Sequence, residues 1–552
     1  MNAKSSVWKK ILCPQAVIWL LVVFFLAYAA RFIMINIFWY EGKPYFGLFD
    51  DAMISMTYAR NLAQGNGLVW NAGGERVEGI SNPLWAFIMA FFHLFPIPEN
   101  WMGLPVILLG AGFLVANLFL VRRVTQHITG GEFAPLVAVA LTALYYPLNN
   151  WALTGTEVSI LTWMTTLLVW GTILTLNQKR FFAWIYVLIG IASFVRIDML
   201  GIGGFTWLFL AFFDRSNRRN HLLWGGVILA GFTLFQTLGR YLYYGDWLPN
   251  TYYLKMTGGI LSLRLERGLY VFGKFVLNFN LALFLIPLLL LFFRRDRITW
   301  YMFLVFAVQV GYSIYVGGDA WEHRGGANRF FAIVMPVYFI LFSAALESLR
   351  QAAWAHMAGR QSLKRTTLWK RLTYAAMAVF ASLSLVTFNT LLDFNSLQYA
   401  ALLKPSVLVG TDKTVVMGKF VKEITTPEAR VLVIAAGGLP YYSGRFSYDM
   451  LGKSDRVVGK GPMHLPEGIS LLNWRPGHNK WNYDYSILTL KPDMITELWW
   501  QVPWQTVPAY LKDYTRIEVE EMKQFVPDGV LFVRTGSPNI RWELIQKYIV
   551  KN

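Results

Sequence analysis

LFDDAMISMTYARNLAQGNGLVWN, residues Leu48–Asn71, puts two adjacent carboxylates, Asp50 and Asp51, where a long apolar run ends and a helix begins. The pattern predicts a helix from Asp51 to about Gln64, closed by Gly65 and Gly67. One aspartate suffices as an N-cap, its carboxylate accepting backbone N–H groups. The second has no such use, because adjacent carboxylates repel each other. A carboxylate pair beside a membrane surface is what a transferase needs to deprotonate a hydroxyl or to hold a cation.

The chain around this stretch is apolar. Of 552 residues, 55% are hydrophobic and 16% aromatic, and the mean hydropathy is +0.41. These values exclude a soluble protein of this size and predict a polytopic membrane protein. The net charge of +18 sits mostly in short clusters between apolar runs, a pattern that orients helices in a bilayer and does not build a nucleic-acid face. Cys13 is the sole cysteine, which rules out an intrachain disulfide and a thiolate metal site. Lys4, Lys9 and Lys10 precede an apolar run that passes Ala27-Tyr28-Ala29 and continues to about Tyr40. That length favours an uncleaved signal anchor over a cleaved signal peptide.

Runs long enough to cross a bilayer are expected at Gln15–Phe38, Met102–Val121, Phe133–Leu148, Val158–Leu176, Phe181–Val195 and Met199–Phe213. Further runs lie at Leu222–Leu238, Val271–Phe293, Trp300–Val316, Phe330–Ala345 and Leu372–Leu392, about eleven in all. Asn82–Phe95, short and bracketed by Pro83 and Pro96, is expected to lie in the interface. With the N-terminus inside, the basic connections all fall on the cytoplasmic side, including Arg122-Arg123, Lys179-Arg180, Arg294-Arg295 and the stretch Arg350–Arg371. The other side then collects the aspartate helix, GERVEGISNP (Gly74–Pro83), NNWALTGTEV (Asn149–Val158), VRIDM (Val195–Met199), YYGDWLPNTYYLK (Tyr243–Lys255) and GGDAWEHRGGANRF (Gly317–Phe330). From residue 393 the composition turns mixed, which predicts one outer-face α/β or α+β domain. Its expected elements are a helix near Thr414–Ile424, a buried strand at Arg430–Ala436 and a strand at Val530–Arg534. Gly437-Gly438 lacks the third glycine and the acidic partner of a dinucleotide fingerprint.

The candidate site residues lie on that outer side. Lys255 is either an interfacial lysine snorkelling among aromatic rings or a cation for a lipid phosphate. His323, Arg324 and Arg329 share a loop with Asp319 and Glu322, as an ion-pair network or as phosphate ligands. Arg196 and Asp198 are expected to pair with each other, and Glu157 either supports the start of the next span or joins the site. No H-E-x-x-H, G-x-S-x-G or Walker A sequence occurs, and the seven histidines are dispersed, against a zinc site. Without a nucleotide motif, a donor on this side is expected to be lipid-linked.

These motifs carry a resemblance. An Asp-Asp just past the first span followed by a juxtamembrane helix resembles the GT-C superfamily of polyprenyl-phosphate-sugar transferases. FDDAMISMTYARNLAQGNGLVWNAGGERVEGISNPLW is similar to the opening signature of bacterial arabinofuranosyltransferases that use decaprenyl-phosphoryl arabinose. ALTGTE (Ala152–Glu157), YYGDWLPNTYYLK, VGGDAWEHRGGANRFFAIVMPV and GLPYYSGRFSYDMLGKSD (Gly438–Asp455) extend the similarity over most of the chain. The resemblance implies a transmembrane catalytic domain over residues 1–392 with a first outer loop at 39–101, and an extracytoplasmic α/β domain over 393–552. It implies Asp50 or Asp51 as base for the acceptor hydroxyl, the other as its orienting partner or, with Mg or Mn, a metal ligand. Lys255, His323, Arg324 and Arg329 are implied to face the donor phosphate, with Glu157, Arg196 and Asp319 nearby. Tyr441, Tyr442, Arg445, Asp449 and His478 are the expected acceptor contacts. The acceptor that the resemblance implies is a type IV pilin or a surface glycan at a bacterial inner membrane, the composition leaning towards a Gram-negative source. Another lipid-linked sugar, mannose or an aminopentose, is the alternative donor. A transporter would place polar groups at mid-membrane and show internal repeats, which the charge pattern does not suggest.

Overall fold

The computed structural model describes residues 14–322, 328–358, 363–390, 396–406, 408–465, 471 and 474–550. Each apolar run named above is mainly helical over its described residues, although not every run is one span. Among the described residues, seven helices are long and apolar enough to cross a membrane, or up to nine if each of two bent pairs counts as one span. The remaining two of the about eleven expected runs form shorter apolar helices. Ala183–Val195 and Met199–Phe213 are helices of 13 and 15 residues, and at about 1.5 Å per residue they fall short of a hydrocarbon core of about 30 Å.

The two bends have local causes. Phe133–Ala143 and Tyr146–Leu153 meet at 51°. Pro147 opens the second helix, where its missing N–H costs nothing but ends continuity with the first. The Asn389 side chain accepts the freed Tyr146 N–H at 2.8 Å. Leu261–Asn278 and Leu281–Phe293 meet at 100°, so the single span expected at Val271–Phe293 is broken. Asn280 adopts φ +69° and its side chain accepts the N–H groups of Ala282 (3.1 Å) and Leu283 (3.4 Å), capping a new helix.

Arg329–Ala358 is the axis of the bundle. Its apolar residues from Phe331 to Leu346 are buried, and it packs against Phe133–Ala143, Gly103–Thr129, Val158–Gln178 and Arg297–Tyr315. Arg215–Tyr244, by contrast, exposes Leu234, Phe235 and Leu242, as a lipid-facing helix does. Basic connections gather at one end, where Arg297 donates to the Phe213 carbonyl (3.0 Å) and Asn217 to that of Lys179 (2.9 Å). The polar loops and the C-terminal domain gather at the other.

At that polar end a short hairpin, β1 (Phe38–Tyr40) and β2 (Lys43–Tyr45), leads into helix Asp50–Ala63, which packs against helix Pro83–His93. The C-terminal domain contributes helix Thr411–Ile424 and five strands: β3 (Arg430–Val433), β4 (Phe446–Asp449), β5 (Met494–Ile495), β6 (Tyr514–Glu518) and β7 (Val530–Arg534). Their order is β4-β3-β5-β7-β6, parallel around β3 and antiparallel beyond β5. Alternation along β3 sends Leu432 to one face and Val431 and Val433 to the other. The second face shares its core with Tyr58, Leu68 and Trp70 of the first loop. The sheet therefore completes its core with first-loop side chains.

Candidate active site

Helix Asp50–Ala63 starts at Asp50, with Phe49 at the N-cap and no capping bond from a side chain. The expectation that one aspartate caps its own helix is overturned, because both carboxylates are engaged from elsewhere. Asp50 accepts the N–H of Gly438 at 2.9 Å. A Cβ on the neighbouring Gly437 would lie 1.9 Å from the Asp50 carbonyl oxygen, so only glycine permits this approach. Burial raises the Asp50 carboxyl above its usual range, against the opposing pull of the Gly438 N–H and Lys453. Asp51 is bonded to the Lys453 ammonium and, at 3.2 Å, to Arg329 Nη1. Burial acts against its charge, but Lys453 and Arg329 together hold it well below the usual carboxylate range.

Arg329 opens the axial helix, where the helix dipole disfavours a cation. Asp319 offsets this with a fork: it accepts from Arg329 Nε at 2.8 Å and from Nη2 at 3.3 Å, the geometry a guanidinium suits. The Trp151 ring lies 5.2 Å from the same guanidinium, a cation–π contact. Glu322 accepts the Asp319 N–H at 2.6 Å and, among the described residues, pairs with Arg267 at 3.1 Å. His323 and Arg324 lie outside the described residues.

Lys453 reaches Asp51 from the loop after β4. Asp449 shapes that loop by accepting the N–H groups of Leu451 (3.0 Å), Gly452 (3.2 Å) and Ser454 (2.8 Å). The Asn250 amide closes it from the other side, within 2.9 Å of the Gly452 and Lys453 carbonyls and 3.0 Å of that of Asp455. Asn250 begins helix Asn250–Met256, which carries Lys255 into the wall of the same cavity. Lys255 does not snorkel, and it makes no hydrogen bond or ion pair among the described residues. Burial, with the charges of Arg329 and Lys453, brings its ammonium down to about 8.

The cavity has two lobes that share Asp51, Lys255, Arg329 and Lys453. One is lined by Ser55, Ser81, Asn82, Thr156 and Glu157. Its wall is wired together: Ser55 donates to Asn82 (2.8 Å), Asn82 to Glu157 (2.9 Å), and Arg196 reaches Glu157 at 3.5 Å while pairing with Asp198 at 2.8 Å. Glu157 thus makes no helix-capping bond, whereas the expected Arg196–Asp198 pair is present. The other lobe encloses about 810 Å³ including its mouth and is lined by Tyr252, Met256, Tyr312, Trp321 and His478. Burial pushes the His478 imidazole down to about 3, so the ring is neutral.

Of the five expected acceptor contacts, only His478 lines this cavity. Tyr441 and Tyr442 are buried in the seam between the first loop and the C-terminal domain. Tyr441 meets His93 at 3.1 Å and lies under Arg60 at 4.4 Å, and Tyr442 packs edge-on to Tyr45 at 5.8 Å. Arg445 braces the carbonyls of Lys422 (2.9 Å) and Thr425 (3.0 Å), and Asp449 acts on the Lys453 loop. Sequence reasoning passed over Lys453 although it lies in the quoted GLPYYSGRFSYDMLGKSD. It is 402 residues from Asp51, and no spacing rule links such a pair.

A divalent cation does not fit these donors. Both Asp51 oxygens face cations, Asp50 is turned to a backbone N–H, and among the described residues no three His, Cys, Asp or Glu side chains converge as metal ligands. What the arrangement offers is an anion subsite beside a carboxylate that can accept a hydroxyl proton.

Residues 405–539 match a domain family of unknown function, DUF8728. Over 234 residues the chain is 27% identical to the terminal β-(1→2)-arabinofuranosyltransferase of Mycobacterium tuberculosis (strain ATCC 25618 / H37Rv), a match covering 38% of this chain and 35% of that relative's length. Among solved structures, the archaeal oligosaccharyltransferase AglB from Archaeoglobus fulgidus, in complex with an inhibitory peptide and a dolichol-phosphate, aligns with a TM-score of 0.49 at 10% identity, over 81% of this chain and 65% of AglB. ArnT from Cupriavidus metallidurans bound to undecaprenyl phosphate aligns with a TM-score of 0.53 at 12% identity, over 94% of this chain and 98% of ArnT. The chain therefore shares its fold with ArnT, and in this chain that fold is a bundle of apolar helices, several long enough to cross a membrane, followed by a C-terminal sheet domain.

Proposed function

We propose that this protein is a membrane glycosyltransferase that moves arabinofuranose from decaprenyl-phosphoryl arabinose to an extracytoplasmic acceptor, a type IV pilin or a surface glycan. The observation that carries the reading is Lys255, a cation in a cavity wall with no partner among the described residues, set beside the Lys453–Asp51–Arg329 cluster. A phosphate monoanion or diester is the partner such a cation lacks. The arabinofuranosyltransferase similarity supports the sugar, and ArnT, with the same fold, was crystallised with undecaprenyl phosphate.

In this reading the acceptor hydroxyl attacks the anomeric carbon of the sugar. The bond from that carbon to the phosphate oxygen breaks, and its electron pair leaves with the lipid phosphate, which Lys255, Arg329 and Lys453 hold. Asp51 takes the hydroxyl proton. While paired to two cations Asp51 is a weak base. A phosphate that engages Lys453 and Arg329 loosens those pairs and raises its basicity, so the base is activated when the donor is seated. Asp50 secures the helix to the C-terminal domain.

The test is transfer in membranes from labelled decaprenyl-phosphoryl arabinose to pilin and glycan acceptors, comparing wild type with Asp50→Ala, Asp51→Ala and Lys255→Ala at matched protein levels. Transfer by wild type that is lost in Asp51→Ala is the expected result. Transfer that survives Asp51→Ala removes that residue as base. Activity only with lipid-linked mannose or aminopentose discards arabinose and keeps the cavity chemistry.

A further inference from the structure

Asp319 lines the larger lobe of the cavity, but its backbone is gripped from behind. After helix Arg297–Tyr315 the chain turns at Gly317 and Gly318, at φ +84° and +80°, conformations that favour glycine. Arg267 of helix Leu261–Asn278 takes the carbonyls of this turn. Its Nη1 donates to the Gly317 carbonyl, and its Nη2 to the Asp319 carbonyl at 3.1 Å and to Glu322 Oε2 at 3.1 Å. The neighbouring Gly268 lets the two helices close, because a Cβ there would lie 2.2 Å from the Ile314 carbonyl oxygen. Glu322 Oε1 accepts the Asp319 N–H at 2.6 Å and the Asn328 amide at 3.0 Å. Asn328 in turn donates to Ser313 Oγ at 2.7 Å and accepts the Phe330 N–H at 2.8 Å. The knot joins the end of one span to the start of the axial helix, where Arg329 lies. The Trp474 ring, 5.9 Å from the guanidinium, covers Arg267, which is only 4% exposed. Arg267 and Glu322 stand outside the lining of both lobes.

We propose that Arg267 is a positioning residue for transfer: by holding the Asp319 backbone it fixes how Arg329 is shared between Asp319 and Asp51. This rests on the transferase reading above and adds a residue that touches neither the donor nor the base. Arg329 gives Nε and Nη2 to the Asp319 carboxylate and Nη1 to Asp51. Asp319 also accepts the Arg329 backbone N–H at 3.2 Å, so main chain and side chain of Arg329 hang on one carboxylate. Without the grip of Arg267 the Gly-Gly turn is free to shift, and a planar fork tolerates little displacement. Arg329 then turns more fully to Asp51, holds that base at lower basicity and meets the donor phosphate misaligned. Stability alone asks only that the two carbonyls be paired. The site depends on Arg267 because the residue it holds is the one that holds Arg329.

The experiment uses the full-length protein in nanodiscs with two readouts. One is equilibrium binding of geranylgeranyl phosphate, a lipid monophosphate without sugar; the other is transfer from decaprenyl-phosphoryl arabinose at matched folded protein. Arg267→Gln is expected to weaken lipid-phosphate binding and to lower kcat, each by about 10- to 100-fold, the scale for a group misplaced from a distance. The acidic limb of its kcat–pH profile is expected to move to lower pH, because Asp51 is held more firmly. Arg267→Lys keeps the charge without the fork and is expected to recover little. In an Asp319→Asn background Arg267→Gln is expected to add no further loss, since the two act in one chain. Should Arg267→Gln not fold, Glu322→Gln, which loosens the same grip, carries the same cycle. Full recovery by Arg267→Lys assigns the effect to charge and overturns the proposal. So do losses that multiply in the double variant, and so does lowered thermal stability with wild-type binding, kcat and pH profile. If no arabinose is transferred, a loss of lipid-phosphate binding in Arg267→Gln that vanishes in the Asp319→Asn background upholds the positioning and sinks the arabinose reading alone. Transfer by wild type that Arg267→Gln leaves unchanged sinks the positioning alone.

Discussion

Two neighbouring aspartates have different surroundings, and the difference predicts different phenotypes. Asp51 faces the cavity and two cations, while Asp50 faces the Gly438 N–H. Asp51→Asn is expected to lower kcat by about 10²–10⁴-fold, the range for a lost general base. Asp50→Asn keeps an oxygen for Gly438 and is expected to lose less than about tenfold; steady-state kinetics with both variants decide the assignment, and the reverse order would move the base to Asp50. Lys255 gives a pH signature. An ammonium brought down to about 8 is charged below that value and neutral above it. The donor KM is therefore expected to rise as pH passes about 8, and Lys255→Arg to flatten that rise because a guanidinium keeps its charge. A donor KM indifferent to pH in wild type would remove Lys255 from phosphate binding. Since the carboxylates are turned to cations and an N–H group, chelators are expected to leave transfer unchanged; restoration by Mg or Mn after chelation would show a metal the donor set does not suggest.

Between residue and domain, the short helix Asn250–Met256 is what fixes the two lysines relative to each other. Its first residue holds the Lys453 loop and its own N–H donates to the Glu78 carbonyl at 3.0 Å. Buried Lys480 closes the other end, donating to the Tyr253 carbonyl (3.0 Å), Thr257 (3.1 Å) and the Gly459 carbonyl (3.0 Å). Asn250→Ala takes the side-chain donor from the Gly452 and Lys453 carbonyls, and about 1–3 kcal/mol of stability is expected to go with it. Because the displaced groups are Lys255 and Lys453, the donor KM should rise more than kcat falls; a pure loss of thermal stability with unchanged KM would make Asn250 structural only. Elements of this kind set the limit of what the sequence discloses. The aspartate helix was legible because Gly65 and Gly67, at φ +80° and +87°, stop it where the pattern ends. Strands β3 and β7 were legible as short apolar runs. The breaks at Pro147 and Asn280 were not, since a hydropathy window measures length and ignores a cap or a positive φ. Nor was Asn250, whose importance lies in three carbonyls some 200 positions along the chain.

For the whole molecule, the polar loops that the charge pattern assigned to one side do meet at one end of the bundle. Asn82 contacts Glu157, Arg196 contacts Glu157, Arg329 contacts Asp51, and Asn250 holds the Lys453 loop. No short-range pattern could have joined them; the inference rested on counting spans, and it held although Ala183–Val195 and Met199–Phe213 are short, because they still reverse the chain as a pair. Which end faces out is a separate matter, argued only from the basic connections at the opposite end. It is decided by cysteine labelling in a Cys13→Ser background. Ser216 lies exposed among the basic connections and Lys512 lies exposed on the C-terminal domain. A membrane-impermeant maleimide is expected to label Lys512→Cys in cells whose outer barrier alone is opened, and Ser216→Cys only after lysis. The reverse pattern would place Asp51, Lys255 and Arg329 in the cytoplasm, where nucleotide-activated sugars are at hand. A lipid-linked donor would then no longer be required, and a lysine without a hydrogen-bond or ion-pair partner among the described residues, set beside a carboxylate, would fit a sugar nucleotide's diphosphate as well as a polyprenyl phosphate.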